Sequence, residues 1–147
     1  MSLTRKTKKK VDIQLTRTQS NNDVNPIMFD ENHQGELYRV DDVTCIITYD
    51  FCINSERVTR TLKLCDSTLT ITDSGNGYST SRFHENEWEA CFYNLNSNQL
   101  VYRNLTKKLN FALNEQGGLI DVLYELWSGD THLGFYSYEY YIKEANQ

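Results

Sequence analysis

The sequence lacks the features that mark membrane-spanning, secreted and disulfide-rich proteins. No apolar run approaches the roughly 18 residues that a membrane-spanning helix needs, so no span is predicted. The basic start is followed by the alternating segment from Val11 to Leu15 instead of a continuous apolar stretch, which argues against a signal peptide. The four cysteines include no C-x-x-C pair, which argues against both a zinc site and a dense disulfide framework. We therefore expect reduced thiols and a cytoplasmic protein with no membrane partner.

Sequence motifs for catalysis and for metal binding are missing as well. The three histidines, His33, His84 and His132, lie far apart and form no H-x-H or H-E-x-x-H motif. No Ser, Cys or Asp residue stands in a nucleophile elbow or in a known triad order. We therefore predict no metal, no cofactor and no catalytic residue. An enzyme stays the third hypothesis, because a triad is a spatial arrangement that a sequence need not display.

The charge balance argues against nucleic acid as a partner. The chain carries 15 Lys and Arg against 20 Asp and Glu, for a formal net charge of −5. Five of the cations lie within the first ten residues, so the remainder holds 10 cations against 20 anions and repels phosphates. We interpret residues 1–10 as a solvated basic tail and residues 11–143 as a single domain. The five cations are Arg5, Lys6, Lys8, Lys9 and Lys10.

The chain does contain a succession of short strand-like runs. Ten tyrosines and 12% aromatic residues favour strands, where rings pack on a pleated face. Apolar and polar residues alternate in these runs, and turn residues such as Gly75 and Gly129 separate them. The runs span residues 11–17, 36–40, 43–50, 57–65, 69–73, 78–84, 88–95, 99–114, 118–127 and 131–143.

Tight turns between these runs predict the fold class. They make neighbouring strands antiparallel, and a chain of such hairpins forms either a sandwich or a closed barrel. Because no helix intervenes, we predict an all-β, antiparallel up-and-down (meander) barrel of about 8–10 strands. Residues 19–34, a polar stretch around Pro26, predict a long loop or a short helical lid. The apolar positions change parity near Lys107 and Lys108, which predicts a bulge or corner there.

Short, mostly structural motifs between Gly35 and Ile142 resemble those of a known family. They are Ile71–Gly75, Arg82–Phe83, Tyr93 through Leu100, Thr106–Leu109 and Gly118–Tyr124 leading to Gly129–Asp130. The family is the YwiB family, uncharacterised proteins of Gram-positive bacteria with a calycin-like, or lipocalin-like, β-barrel. Asn98 stands where the family tends to carry glycine, a change that a left-handed turn accepts. The resemblance implies the barrel; it implies ligand binding only by analogy of architecture.

Alternation along barrel strands predicts which arginines face the lumen. Arg60 and Arg82 both fall on runs that alternate, and a guanidinium inside a lumen could pair with a ligand carboxylate or phosphate. The alternative is that each lies near a rim or faces solvent, because an unpaired buried charge is costly. The clearest inward sets are Val58, Arg60, Leu62 and Leu64 on one run and Ile120, Val122, Tyr124 and Leu126 on another.

Four tyrosines are further candidates for the lumen: Tyr93, Tyr102, Tyr124 and Tyr141. A ring with a hydroxyl suits a small apolar or amphipathic ligand. Core packing explains them equally well, because a barrel of about eight strands is only just wide enough for side chains to fill it.

The last run carries three alternating tyrosines, Tyr136, Tyr138 and Tyr140. Such a row could stack on single-stranded nucleic acid, but without interleaved cations we prefer strand pairing or a partner interface.

Two functions follow as hypotheses. The first is a cytosolic barrel that binds a small, partly apolar ligand in its lumen through the arginines and tyrosines named above. The main alternative is an interaction module with a solid core, which could form a homodimer through the Tyr-rich last run or through the apolar island Ile27–Phe29.

Overall fold

A computed structural model describes residues 8–21, 25–75, 77–95 and 98–145. Every regular element in these ranges is a β-strand, because alternating apolar and polar residues bury one face of a strand and leave the other to solvent. The ten strands are β1 (Lys9–Ser20), β2 (Ile27–Asp41), β3 (Thr44–Ile53), β4 (Glu56–Cys65), β5 (Thr68–Ser74), β6 (Tyr78–His84), β7 (Trp88–Leu95), β8 (Asn98–Asn114), β9 (Gly117–Ser128) and β10 (Thr131–Glu144).

The strands form one closed antiparallel barrel. Each strand pairs with the next in sequence, and β1 pairs with both β2 and β10, which closes the sheet. The predicted all-β meander barrel is therefore confirmed. We call the end with the β2–β3, β4–β5, β6–β7 and β8–β9 turns the lower end, and the opposite end the upper end. No helix in the described part of the chain is long and apolar enough to cross a membrane.

The loop or lid predicted over residues 19–34 is wrong. β1 continues to Ser20 and β2 already begins at Ile27, so most of this segment is a long hairpin. Its polar residues lie on strands whose outer face meets solvent. A polar sequence therefore does not distinguish such a strand from a loop. Pro26 stays outside both strands, as its missing N–H requires. Residues 22–24 lie outside the described ranges.

The predicted basic tail falls largely outside the described residues, which begin at Lys8. Lys9 and Lys10 belong to β1 and pair with Leu37 and Glu36 of β2.

The parity change predicted near Lys107 and Lys108 is confirmed. The β8–β9 register shifts between Thr106 and Lys108, so both Thr106 and Leu109 are buried inside although they differ in parity. A second shift lies between His132 and Gly134 on β10.

The lower half of the lumen is filled by aliphatic side chains, which we call the plug. Each is at most 7% exposed, and burying one such side chain contributes roughly 1.5–3 kcal/mol. The predicted inward facing of Leu62, Leu64, Ile120 and Val122 is therefore confirmed. The plug consists of Val11, Ile13, Leu15, Leu37, Ile47, Leu62, Leu64, Leu69, Ile71, Leu109, Ile120, Val122 and Ile142, and the buried ring of Phe83 belongs to the same core.

The β8–β9 turn gives a test of this close packing. Gly118 has φ +145°, and a Cβ there would overlap the carbonyl oxygen of Ala112. Gly118→Ala should therefore lower the free energy of unfolding by about 2–3 kcal/mol. Gly129, with φ +57° and nothing within 4 Å of its Cβ position, is the control, and Gly129→Ala should cost about 1 kcal/mol. Urea denaturation measures both, and equal losses would contradict the packing argument.

Candidate functional site

A buried ion pair lies at mid-height in the lumen, between Arg60 and Asp73. Arg60 on β4 and Asp73 on β5 are direct cross-strand partners. The guanidinium Nε and Nη2 donate to the two carboxylate oxygens at 2.7 and 2.9 Å, a bidentate geometry that matches the planar fork to the carboxylate. The Arg60 side chain is only 13% exposed. Burial lowers the pKa of Arg60, but the Asp73 hydrogen bonds together with the electrostatic effect of Tyr140, Tyr49 and Tyr138 raise it overall, so the guanidinium stays charged.

Aromatic rings surround the guanidinium. Its central carbon lies 4.8 Å from the ring centre of Phe51, 5.8 Å from that of Tyr138 and 6.0 Å from that of Tyr49. Arg60 Nη1 also donates to the Tyr49 hydroxyl at 3.2 Å, and that hydroxyl lies 3.0 Å from the hydroxyl of Tyr140. The cation therefore has both a counter-charge and aromatic faces, which together offset its desolvation.

A second charged group lies closer to the upper rim. Glu31 on β2 accepts a hydrogen bond from Arg17 Nε at 2.6 Å, and its other oxygen lies 2.8 Å from His33 Nε2. Burial raises the pKa of the Glu31 carboxyl, but the hydrogen bonds of His33 and Arg17 outweigh it, so the pKa is lowered overall. The His33 ring stacks on Tyr49 at 4.6 Å, which joins this group to the Arg60 pair.

Tyrosines line the rest of the upper lumen. Tyr124 stacks on Tyr136 at 5.7 Å and lies 6.1 Å from Tyr138. Tyr93 meets Tyr102 edge to face at 5.4 Å. Burial raises the pKa of Tyr93 to about 12. Burial also raises the pKa of Tyr49, Tyr124 and Tyr140, so these phenols stay neutral at physiological pH and keep a proton to donate.

We call this region the cup. Its members face inward above the plug, and Tyr49, Tyr124 and Tyr140 form its buried floor. The remaining members are partly exposed although they point into the barrel, so solvent reaches the lumen from the upper end. The cup consists of Arg17, Glu31, His33, Tyr49, Phe51, Arg60, Asp73, Tyr93, Tyr102, Tyr124, Tyr136, Tyr138 and Tyr140.

The barrel wall is discontinuous beside the cup. The β2–β3 ladder runs only from Gly35–Tyr49 to Asp41–Thr44, so β2 above Gly35 and β3 above Tyr49 are not paired with each other. A surface groove of about 1230 Å³ includes Gly35 and Tyr49 in its lining, where the two strands separate. Arg60 and Asp73 are not among its lining residues and the outward-facing Asp50 and Arg57 are, so the groove lies on the outer wall and is not the site itself.

The structure places four of the six predicted site residues in the cup: Arg60, Tyr93, Tyr102 and Tyr124. Arg82 and Tyr141 are corrections. Arg82 alternates with the buried Phe83 and is 60% exposed on the outer wall, 4.0 Å from Glu89. Tyr141 is 64% exposed because its neighbours Tyr140 and Ile142 take the inward positions. In both cases the parity of one strand was misassigned, which moves a side chain to the opposite face.

Tyr136, Tyr138 and Tyr140, for which the sequence favoured strand pairing or a partner interface over a stacking platform, point into the lumen, and their strand pairs with β1 and β9. Tyr140 is 1% exposed and hydrogen-bonds Tyr49 inside the barrel. Tyr136 and Tyr138 pack against the core from the cup. The last strand therefore contributes aromatic side chains to the lumen and not to a stacking surface.

Sequence reasoning missed Asp73, the counter-ion of Arg60. The sequence did contain a signal for it. Asp66–Ser67 is a predicted two-residue turn, and Arg60 lies six residues before Asp66 just as Asp73 lies six residues after Ser67. A two-residue hairpin turn pairs residues at equal distances from it. The group of Arg17, Glu31 and His33 gave no such signal, because the hairpin that aligns them was interpreted as a loop.

Metal binding has no support in the described residues, where no group of three or more His, Cys, Asp or Glu side chains could hold an ion.

A family model described as Domain of unknown function (DUF1934) matches residues 11–139. The chain belongs to this family. A solved structure, the crystal structure of ywiB protein from Bacillus subtilis, matches 95% of this chain and 94% of that chain with a TM-score of 0.80. At 18% sequence identity, the likeness shows the fold alone. A comparison with curated proteins gives no significant match. The family and the barrel expected from the sequence motifs are thus confirmed.

The Arg60–Asp73 pair predicts a large stability effect. Asp73→Asn leaves a buried guanidinium without its counter-charge and should cost about 3–5 kcal/mol of unfolding free energy. Asp50→Asn is the matched control, because Asp50 also accepts from an arginine across a strand pair, but the Arg57 side chain is 76% exposed. The control should cost less than about 1 kcal/mol. Guanidinium denaturation measures both; similar values would show that burial does not govern the pair.

The buried phenols predict a stepwise alkaline titration. Their folded pKa values lie above the unfolded value of 10.0, so the stability they contribute is complete below pH 10.0 and decreases as pH rises toward the folded pKa values. Phenolate absorbance should therefore show at least these four of the ten tyrosines ionising late, with Tyr93 near pH 12. In concentrated urea, which unfolds the protein, all ten tyrosines should ionise over the same pH range. A single unperturbed step in the folded protein would contradict the burial of the cup floor.

Proposed function

We propose that this protein binds a small, partly apolar ligand in the cup. The main support for the proposal is that the lumen is divided into two regions. Inward side chains are aliphatic and buried in the plug, whereas those of the cup are aromatic or polar and most of them are partly exposed. Packing alone gives no reason for placing an arginine, a carboxylate and several tyrosines inside a barrel, since buried polar groups lower stability unless they are paired. Polar groups among aromatic rings are typical of small-molecule sites.

The strand number supports the proposal. A barrel of about eight strands is already wide enough to hold one small ligand in some families, and diameter grows with strand number. This barrel has ten strands. The calycin-like architecture suggested by the sequence motifs adds an analogy with ligand-carrying barrels, which is an argument from fold only.

Access to the cup has two routes. One would be the upper end, where the partly exposed cup residues lie, and the other would be the stretch in which β2 and β3 are not paired with each other. The His33 ring lies across this second route, stacked on Tyr49 and 6.3 Å from Phe51. Ligand contacts come from the partly exposed rings, above all Tyr93, Tyr102 and Tyr138. The four cysteines are free thiols, which fits the cytoplasm as the place of binding.

A second candidate function, a protein interface, has support on the outer wall. Trp88 is exposed, meets Trp127 edge to face at 6.0 Å and has Arg103 over its ring at 4.8 Å. Phe92 and Val101 extend this apolar surface. Exposed aromatic side chains with an arginine are common at interfaces. Light scattering over a concentration series tests self-association there, and a monomer throughout would remove the homodimer.

The lumen proposal is tested by filling the cup. Ser79 faces inward between Asp73 and Tyr93 in the strand registers, and its neighbour Thr80 faces outward beside Thr72. The neutral fluorescent probe N-phenyl-1-naphthylamine should bind the wild-type protein saturably. Ser79→Trp should weaken binding about tenfold or more, and Thr80→Trp should leave it unchanged.

Circular dichroism of both variants checks that the barrel is intact. Absence of saturable probe binding, or equal weakening by the inward and outward tryptophans, would overturn binding in the cup.

A further inference from the structure

The charged side chains of the cup balance one another. Among the described residues of the cup, the arginines are Arg17 and Arg60 and the carboxylates are Glu31 and Asp73. Each arginine contacts one carboxylate directly, so the formal sum of these four side chains is zero. Glu56, at the β3–β4 turn, is exposed to solvent, where water and salt screen its charge.

The side edge of the Arg60 guanidinium, formed by Nε and Nη2, is already occupied. Arg60 uses Nε and Nη2, its bidentate edge, for Asp73, and Nη1 for Tyr49. A ligand carboxylate or phosphate could take that edge only by displacing Asp73, which would then be a buried carboxylate without a counter-charge. Removing one partner from a buried ion pair is strongly unfavourable, because the other charge stays buried without compensation. At this edge Asp73 therefore takes the place of a ligand anion, the pairing that the sequence left open as one alternative for Arg60.

The tyrosines offer a different chemistry. Their hydroxyls both donate and accept hydrogen bonds, and their rings present faces for stacking. Tyr93, Tyr102, Tyr136 and Tyr138 are partly exposed within the cup.

We infer that the cup selects an uncharged aromatic ligand with hydrogen-bonding groups, and that Asp73 is the residue that excludes anions. This inference rests on the proposed binding of a ligand in the cup. Asp73 acts here as a specificity-determining residue: it neutralises Arg60 and occupies the anion-binding edge before any ligand arrives.

Two probes that differ by one sulfonate test the inference. N-phenyl-1-naphthylamine is neutral, and 8-anilino-1-naphthalenesulfonate carries the same rings with a negative charge. The wild-type protein should bind the neutral probe about tenfold more tightly than the sulfonate. Asp73→Asn removes the internal counter-charge, so it should increase affinity for the sulfonate relative to the neutral probe about tenfold.

Asp50→Asn is the control for net charge. It makes the same change to the formal charge of the chain, but on the outer side of the β3–β4 pair, where Asp50 contacts the exposed Arg57 and Thr59. The ratio of the two affinities should stay at its wild-type value. Each probe must also be displaced by the other, and Ser79→Trp must weaken both, so that only binding in the cup is counted.

The outcomes separate the two proposals. If neither probe binds saturably in the cup, the proposed function fails. If the wild-type protein binds both probes equally, or folded Asp73→Asn leaves the ratio unchanged, the inference about charge fails while binding in the cup stands. Should Asp73→Asn fail to fold, Arg60→Gln leaves Asp73 without its cation and should decrease sulfonate affinity relative to the neutral probe about threefold or more. An unchanged ratio in that variant would also overturn the inference.

Discussion

The pairing of the first strand with the last is the constraint on which the rest of this structure depends. The β1–β10 ladder runs from Val11–Glu144 to Ser20–Phe135 and turns an open meander into a barrel. Without it the sheet would have two exposed edges and no interior. Closure gives every strand an inner and an outer face, and the alternation of side chains then divides the chain into a lumen and a wall.

Closure alone does not determine what fills the lumen. Leu15 on β1 lies opposite Tyr140 on β10, and this level separates the two halves. Below it, aliphatic side chains form the plug, which accounts for much of the hydrophobic stabilisation. Above it, the chain places the Arg60–Asp73 pair and the tyrosines, where apolar residues would pack with less desolvation cost. Departures of this kind from the most stable arrangement are typical of functional sites.

The sequence predicted most of the architecture because two local signals agree along the chain. Period-2 alternation indicated strands, and short polar turns indicated that neighbours pair antiparallel. All ten strand-like runs correspond to observed strands. The parity change at Lys107 and Lys108 located the bulge, because an extra residue is needed there for Leu109 to point inward like Thr106. The principal error, residues 19–34, arose where a solvent-facing hairpin is nearly as polar as a loop.

The candidate site was only partly predictable. Arg60 was assigned to the lumen correctly because Leu62 and Leu64 share its parity on a strongly alternating strand. Arg82 and Tyr141 were assigned incorrectly. Three polar residues, Ser79–Ser81, precede Arg82, and Tyr141 lies within a run of three aromatic and apolar residues, Tyr140–Ile142. On such strands the pattern is compatible with either set of alternate residues pointing inward. A shift of one residue moves every side chain to the opposite face of the strand.

By itself, the sequence determined the strands, their antiparallel order and the apolar core positions, because these follow from interactions between neighbours in the chain. Only the tertiary structure decided that β1 meets β10, that Tyr49 reaches Tyr140 and that Asp73 neutralises Arg60 inside the lumen. Tyr49 and Tyr140 are far apart in sequence, and the distance between them depends on how the whole sheet curves and closes. Local patterns contain no information on that curvature, so the chemistry of the cup becomes visible only in the folded barrel.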